Sequence, residues 1–325
     1  MAEASLAFPS APPHRGPGEP VRYVCMPGSP YTGSTLLGLL LDHHPGFASV
    51  GAATGLTPRI DPRTYRCSCG ARFVECEFWR RVARRTAELG HPVAVFGPGW
   101  STDVRVSRRR WLNGILVRSL GSLRVNAARD AVLWRSRPIR RRLAGASLAT
   151  WSLATAVLEA TGKEVFVDTA RDHQRPKYLR GTPLLDLRVI HLVRDPRGNV
   201  ASIMRHTGAD VATASRRWRH ANLEADRLRR LLPPQAWLRL RYEDLCADPG
   251  GTLERIARFA GVEPAPLPGA IGGPGHHLIG NSMRLRGVSE IREDRRWREE
   301  LGARELRTIA RIAGRASHRL GYDWP

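Results

Sequence analysis

The sequence predicts an α/β fold, a parallel central sheet flanked by helices. Short apolar runs at Val21–Met26, Glu164–Val167, Leu187–Val193 and Trp237–Leu240 alternate with longer stretches of helical periodicity. Alternation of that kind builds βαβ units, whose crossovers make neighbouring strands parallel. The polar, Gly- and Arg-bearing segments fall just after the strand ends, where ligands of such sheets bind. At 325 residues the chain is predicted to be one large domain carrying a helical insertion.

In chain order, residues 1–20 are rich in Pro, Gly and Ala and are expected to be a disordered lead-in. The domain then runs over 21–325, with a Cys-containing and Arg-rich helical insertion at about 60–160. The first strand, Val21–Met26, feeds a leucine-rich helix from about Leu36 to His44. A short helix is expected at about Glu77–Leu89, and a Pro/Gly loop over 91–103. From Val104 to Ala160 apolar residues recur at helical spacing among arginines. These predict two or three helices, including Leu148–Ala160, that cap the face carrying the site. The run Arg137–Arg142 reads as a solvated face. Strand Glu164–Val167 returns to the sheet. The strand ending at Arg194 and a helix from Gly198 follow. A long helix at about Val211–Leu232 is stopped by Pro233-Pro234. Strand Trp237–Leu240, helix Thr252–Ala260, a Gly/Pro-rich loop at 262–290 and a final helix at Ala303–Leu320 complete the chain.

Gly28-Ser29-Pro30-Tyr31-Thr32-Gly33-Ser34-Thr35 lies between the first strand and its helix. Gly28 and Gly33 have the glycine spacing of the nucleotide P-loop, and Thr35 stands where its Ser/Thr stands; Ser34 replaces its lysine. A strand, a tight loop and a helix start aim backbone N–H groups at an anion, and the helix dipole favours negative charge there. Without the lysine that meets β/γ-phosphates, an ordinary ATPase is disfavoured. A second strand-to-helix turn carries Arg194-Asp195-Pro196-Arg197-Gly198 and then Ser202, with Pro196 suited to the first helical position. Arg194 and Ser202 can close on one phosphate, the guanidinium by a bidentate bond and the serine by its hydroxyl.

With these residues in view, the sequence resembles the sulfotransferase family, whose enzymes use 3′-phosphoadenosine 5′-phosphosulfate (PAPS). Gly28–Thr35 looks like the 5′-phosphosulfate loop, and Leu192-Val193-Arg194-Asp195-Pro196-Arg197 with Ser202 looks like the 3′-phosphate motif. Arg241-Tyr242-Glu243-Asp244-Leu245 and the closing segment Gly280–Gly287 with Arg295-Arg296-Trp297 also match. In the closing segment Arg284, Arg286 and Gly287 resemble the loop that folds over the 3′-phosphate. The ordered set spans nearly the whole chain. The resemblance implies a P-loop-containing nucleotide hydrolase-like (sulfotransferase) fold. It also implies PAPS as cofactor with no metal required, and transfer of a sulfuryl group to a hydroxyl or amine. The acceptor would be a small molecule, glycan or lipid. The alternative is a PAPS-binding relative that has lost catalysis; a nucleotide kinase or NTPase is a third reading.

Two catalytic positions depart from the pattern that the resemblance implies. Tyr31 stands where the family has Lys or Arg, and a tyrosine offers one hydrogen bond but no positive charge. Ala52 stands where many bacterial relatives carry a Glu that looks like the base. The best substitutes follow the Glu164–Val167 strand, in Asp168-Thr169-Ala170-Arg171-Asp172-His173. Arg171 is the expected replacement cation, and His173 or Asp168 the expected base. Tyr242 is expected to position the loop.

The formal net charge is +22, and Lys163 and Lys177 are the only lysines, so the excess is arginine. A basic surface suits a polyanionic cofactor. Basic strands interleaved with aromatics are absent, so nucleic acid is not expected as the main partner. No apolar run approaches the length of a membrane span, and the N-terminus lacks a basic-then-apolar signal pattern; a cytoplasmic location is expected. Of five cysteines, Cys67, Cys69 and Cys76 cluster. Free structural thiols are expected. The alternative is zinc with a fourth ligand such as His91 or Asp61. His276-His277 lacks the helical spacing that would put two ligands on one face.

Overall fold

The structure is a computed structural model that describes residues 19–56, 60–97, 100–104, 107, 110–116, 123–267, 275–288 and 290–323. Residues 1–18 of the expected lead-in lie outside the described residues. Five strands form one parallel sheet in the order β2-β3-β1-β4-β5. They are β1 (Val21–Cys25), β2 (Phe47–Ser49), β3 (Val165–Asp168), β4 (Leu185–Val193) and β5 (Trp237–Arg241).

Both faces of the sheet are covered, and the pleat sorts the side chains between them. Tyr23 and Cys25 of β1, Phe166 of β3 and Leu187 and Val189 of β4 join one buried cluster. Val24, Val165, Val167, Ile190 and Leu192 join the cluster on the other face. The first face is covered by α2 (Glu77–Glu88) and α5 (Arg137–Thr161), the second by α1 (Ser34–His43) and α10 (Pro249–Ala260). Between them in sequence lie α3 (Arg110–Leu116), α4 (Leu123–Arg135), α6 (Gln174–Leu179) and α9 (Tyr242–Ala247). A third cluster around buried Trp218 joins α7 (Pro196–Thr207), α8 (Val211–Arg229) and α13 (Ala303–Arg319). Two single-turn helices, α11 (Met283–Arg286) and α12 (Trp297–Glu300), lie in the closing segment.

Helix α5 corrects two expectations. It begins at Arg137 rather than Leu148, so the arginine run lies on its exposed first turns. Its second half, Ala149–Leu158, is buried all round and packs on β1, β2 and β3. Thus α5 is a core crossover helix and not a cap over the site, because a surface apolar on every side must be enclosed. By length and composition it is also the one helix among the described residues able to cross a membrane, with 72% of the tested window buried inside the protein. The sequence reading missed that run because arginines precede it. It also missed β2, an edge strand of three residues, and the short helices α6, α9, α11 and α12.

Candidate anion-binding site at the carboxyl edge of the sheet

β1 lies between β3 and β4, the point where the chain switches from one side of the sheet to the other. The loop leaving β1 therefore opens into the crevice that such sheets use for ligands. Gly33 takes φ 93° at the N-cap of α1, and a Cβ there would stand 2.7 Å from the Tyr242 ring. Tyr31 is the one non-glycine residue with positive φ among the described residues, at 63°. Strained backbone of this kind persists where surrounding contacts hold it. Here Arg194 Nη1 donates to the Tyr31 carbonyl at 3.1 Å, and the Tyr31 ring stacks on His206 with centroids 4.6 Å apart. Asn199 of α7 braces the same loop, accepting from Ser29 Oγ and donating to the Pro30 carbonyl, both at 2.8 Å. Thr32 Oγ1 donates to the Ser29 carbonyl. None of the backbone N–H groups from Gly28 to Leu36 donates to a protein acceptor among the described residues. Ser34 is the first residue of α1, and Thr35 follows it against Gly280. A run of free donors at the positive end of a ten-residue helix is an anion cradle.

The second predicted turn meets this cradle. Arg194 is buried, and its Nη1 also donates to Ser202 Oγ at 3.1 Å, so the spaced pair does come together. Pro196 opens α7, and the Asp195 side chain caps it by accepting from Arg197 N. Glu243 accepts from Asp195 N at 2.9 Å and from Tyr322 Oη at 2.7 Å, tying the turn after β4, α9 and the segment after α13 together. The Tyr242 ring lies 4.6 Å from the Arg194 guanidinium, which explains the Arg-Tyr-Glu-Asp run: it positions Arg194. Asp294 is the partner that the sequence reading missed. Arg194 Nη2 donates to the Asp294 carbonyl at 2.8 Å and lies 3.4 Å from its carboxylate. Hydrogen bonds from Arg296, with the charge of Arg194, hold that carboxyl well below the usual range. Arg194 thus already faces an anion, the Asp294 carboxylate.

The three predicted catalytic residues separate. Asp168, at the end of β3, is buried and fully engaged. Its Oδ1 accepts from Ala53 N and Ala170 N, and its Oδ2 from Tyr23 Oη at 2.7 Å and Arg175 Nε at 2.9 Å. Four donors leave no lone pair for a substrate proton, so Asp168 holds the β3 end in place rather than acting as base. The buried Arg175 was not singled out in the sequence, because nothing in its spacing distinguishes it from other arginines. Arg171 is exposed at the strand end, near enough to Tyr31 for the two side chains to interact electrostatically. His173 turns inward as the residue preceding α6. Burial pushes its pKa down to about 4, so the imidazole is neutral, and its Nε2 has no partner among the described residues. It lines a cavity of about 740 Å³ between α4, α5, α6 and α8, beside Asn126, Trp134, Leu148, Tyr178 and Glu224.

The closing segment is divided as well. Arg284 is buried, donates to the carbonyls of Arg66 and His277, and stacks over the Tyr65 ring, so it fastens the insertion to the closing loop. Its Cδ lies against Gly280, which in turn lies against Thr35 at the cradle. Arg286 is exposed, and Gly287 ends α11 with φ 73°. The thiols also differ from expectation. His91 stacks edge-on to Trp151, and Asp61 caps its own turn, so neither approaches the cysteines. His276 does, because neighbouring residues of an extended loop point opposite ways: His276 faces Cys67, Cys69 and Cys76, while His277 pairs with Asp42.

Residues 140–266 match the sequence model of the sulfotransferase family. That stretch covers β3, β4, β5 and the Arg194–Ser202 turn. No curated protein matches the sequence. Among solved structures, the chain is similar to the sulfotransferase domain of the Synechococcus PCC 7002 olefin synthase, with TM-score 0.53 at 20% identity over 97% of this chain and 99% of that one. It is also similar to the sulfotransferase domain from the curacin biosynthetic pathway, at TM-score 0.48 and 16% identity over 94% and 99% of the two chains. For a Mycobacterium avium sulfotransferase the values are 0.44 and 16%, over 95% and 78%. The first likeness establishes a parallel α/β sulfotransferase fold. It corrects the expectation, taken from the resemblance, of a P-loop-containing nucleotide hydrolase-like fold. Gly33 is required by its left-handed φ and by the Tyr242 ring, whatever ligand the loop holds.

Proposed function

We propose that the chain is a PAPS-dependent sulfotransferase acting on a hydroxyl or amine of a small-molecule, glycan or lipid acceptor in the cytoplasm. The observation that carries this reading is the meeting of two anion grips at one sheet edge. One is the row of free N–H groups from Gly28 to Leu36; the other is Arg194 with Ser202. Two grips separated by one loop suit a nucleotide with a phosphate at each end of its ribose. PAPS, when bound, supplies an activated sulfuryl group whose phosphate departs with negative charge.

The cradle, with the Ser34 and Thr35 hydroxyls, would hold the 5′ end. Arg194 and Ser202 would hold the 3′-phosphate, with Asp294 giving way to it. Arg286 and Gly287 lie in the closing loop that would cover this phosphate. Arg171 would supply a cation on the Tyr31 side of the loop, to offset the charge of a leaving phosphate. His173, two residues along the chain, lines the cavity. We assign the acceptor's proton to its neutral imidazole, whose buried Nε2 has no partner among the described residues and which a bound acceptor would have to reach. In this reading the turn 171–173 links the cradle, through Arg171, to the cavity that His173 lines. An acceptor screen with sulfur-labelled PAPS tests the reading. Label transfer, lowered more in kcat than in KM by Arg171→Ala and by His173→Asn, is expected.

A second reading, a PAPS-binding relative without turnover, is favoured by the neutral Tyr31 at the cation position and its stacking on His206. Tight binding of 3′-phosphoadenosine 5′-phosphate (PAP) with no transfer to any acceptor, and gain of transfer in Tyr31→Arg with Ala52→Glu, would select it.

A further inference from the structure

We propose that Cys67, Cys69, Cys76 and His276 bind one structural Zn²⁺ that fastens the closing loop to the insertion. The Sγ atoms of Cys69 and Cys76 are 3.7 Å apart, and His276 Nδ1 lies 3.5 Å from Cys76 Sγ and 3.7 Å from Cys67 Sγ. All four ligand atoms fall within 4.8 Å of one another. A tetrahedral zinc with ordinary Zn–S and Zn–N bonds has S···S edges of about 3.8 Å and S···N edges of about 3.5 Å. The Cys69–Cys76, Cys76–His276 and Cys67–His276 edges are close to those lengths.

The local chain is built to hold this shape. Cys67 N donates to the Ala71 carbonyl and Gly70 N to the Cys67 carbonyl, with Gly70 at φ 91°, so a tight turn brings Cys67 and Cys69 to one side. Cys76 is the N-cap of α2, where the helix favours a thiolate. The His276 ring is fixed by a parallel stack on Phe78, with centroids 4.1 Å apart and planes 2° from parallel. Cys67 and Cys76 are buried, while Cys69 and His276 are half-buried.

Three thiolates and one imidazole complete four-coordination with no position left for water or substrate, which is the arrangement of a structural zinc. Its location says what it would secure. Ser68 donates to the Gly275 carbonyl and accepts from His277 N, Tyr65 Oη donates to the Leu278 carbonyl, and Leu278 N pairs with the Val50 carbonyl. Gly280 then lies against Thr35, in the anion cradle. Residues about 200 positions apart are thus joined next to the site, where a cross-link removes much unfolded-chain entropy.

The test is elemental analysis of the full chain, purified under reducing conditions and incubated with Zn²⁺ before desalting. One zinc per chain is expected, with Cys76→Ser and His276→Ala losing it. Because these variants can fail to fold, wild-type protein is also titrated with a zinc chelator while melting and PAP binding are followed. Release of one equivalent of zinc with a lower Tm supports the site. Wild-type protein that retains no zinc, and whose Tm ignores the chelator, overturns it. So does a Cys69–Cys76 disulfide found by intact mass in the reduced preparation.

Discussion

Removing the Arg194 guanidinium should abolish the preference for a nucleotide with a 3′-phosphate. Arg194 is buried, and its two terminal nitrogens are spread over Ser202 Oγ, the Tyr31 carbonyl and Asp294. A phosphate arriving there exchanges with the Asp294 carboxylate and gains charge-assisted bonds. Each such bond contributes about 1.5–3 kcal/mol. Arg194→Ala should therefore weaken PAP about 10- to 100-fold at about 1.4 kcal/mol per decade. AMP, with no 3′-phosphate, should lose little. Calorimetric titration of both nucleotides gives the ratio, which is insensitive to a partly unfolded sample because both bind the folded protein alone. Asp294→Asn is the converse. It removes the competing charge, which lies 3.4 Å from Arg194 and is 21% exposed, and should tighten PAP by about 1 kcal/mol, about fivefold. A PAP/AMP ratio unchanged in Arg194→Ala would refute the placement of the 3′-phosphate.

Three further outcomes are expected. Gly33→Ala should lower stability and weaken PAP binding together, since its Cβ would meet the Tyr242 ring at 2.7 Å and its φ is 93°; equal Kd values in wild type and variant would count against the cradle. Asp168→Asn breaks a buried pair with Arg175 and should cost about 3–5 kcal/mol in urea unfolding. Burial pushes the pKa of His191 in β4 down to about 3 from its ordinary 6.5, so the unfolded chain takes up the proton first on acidification. Stability from this residue is complete above the ordinary value and is lost as pH falls from 6.5 towards 3. Between pH 7 and 5 the loss is about 2 kcal/mol, and His191→Gln should flatten that slope in denaturant melts.

The parts of this fold that were legible in the sequence are those written in local pattern. β1, β4 and β5 were visible as apolar runs, and Asp195-Pro196 and Asp248-Pro249 announce helix starts through a cap and a fitting first residue. The pairing of Arg194 with Ser202 was legible because Arg194 stands just after β4, two residues before α7, and Ser202 lies on the first turns of that helix. What stayed hidden depends on contacts across the chain. Asp168 has the sequence position of a base, but Tyr23, Ala53 and Arg175, brought by three different segments, occupy it. The hold of Arg284 on the carbonyls of Arg66 and His277 joins segments that no local pattern connects. β2 is too short to show a period, and Asp294 sits among arginines with no motif of its own.

The fourth member of the cysteine cluster shows the same limit most plainly. Spacing alone pointed to neighbours in the insertion, such as Asp61 and His91. Adjacent histidines in a Gly-rich loop looked unsuited to chelation because no helix puts both on one face. That criterion tests whether two histidines can bind together. It says nothing about one of them joining ligands 200 residues away. In an extended loop, consecutive side chains diverge, and that divergence lets His276 face three sulfurs while His277 anchors the loop on Asp42. A four-ligand set split three and one across the sequence is therefore found only when the fold closes it. Its closure also sets the loop carrying Gly280 against the start of α1, so the packing of the cluster and the shape of the anion cradle are determined together.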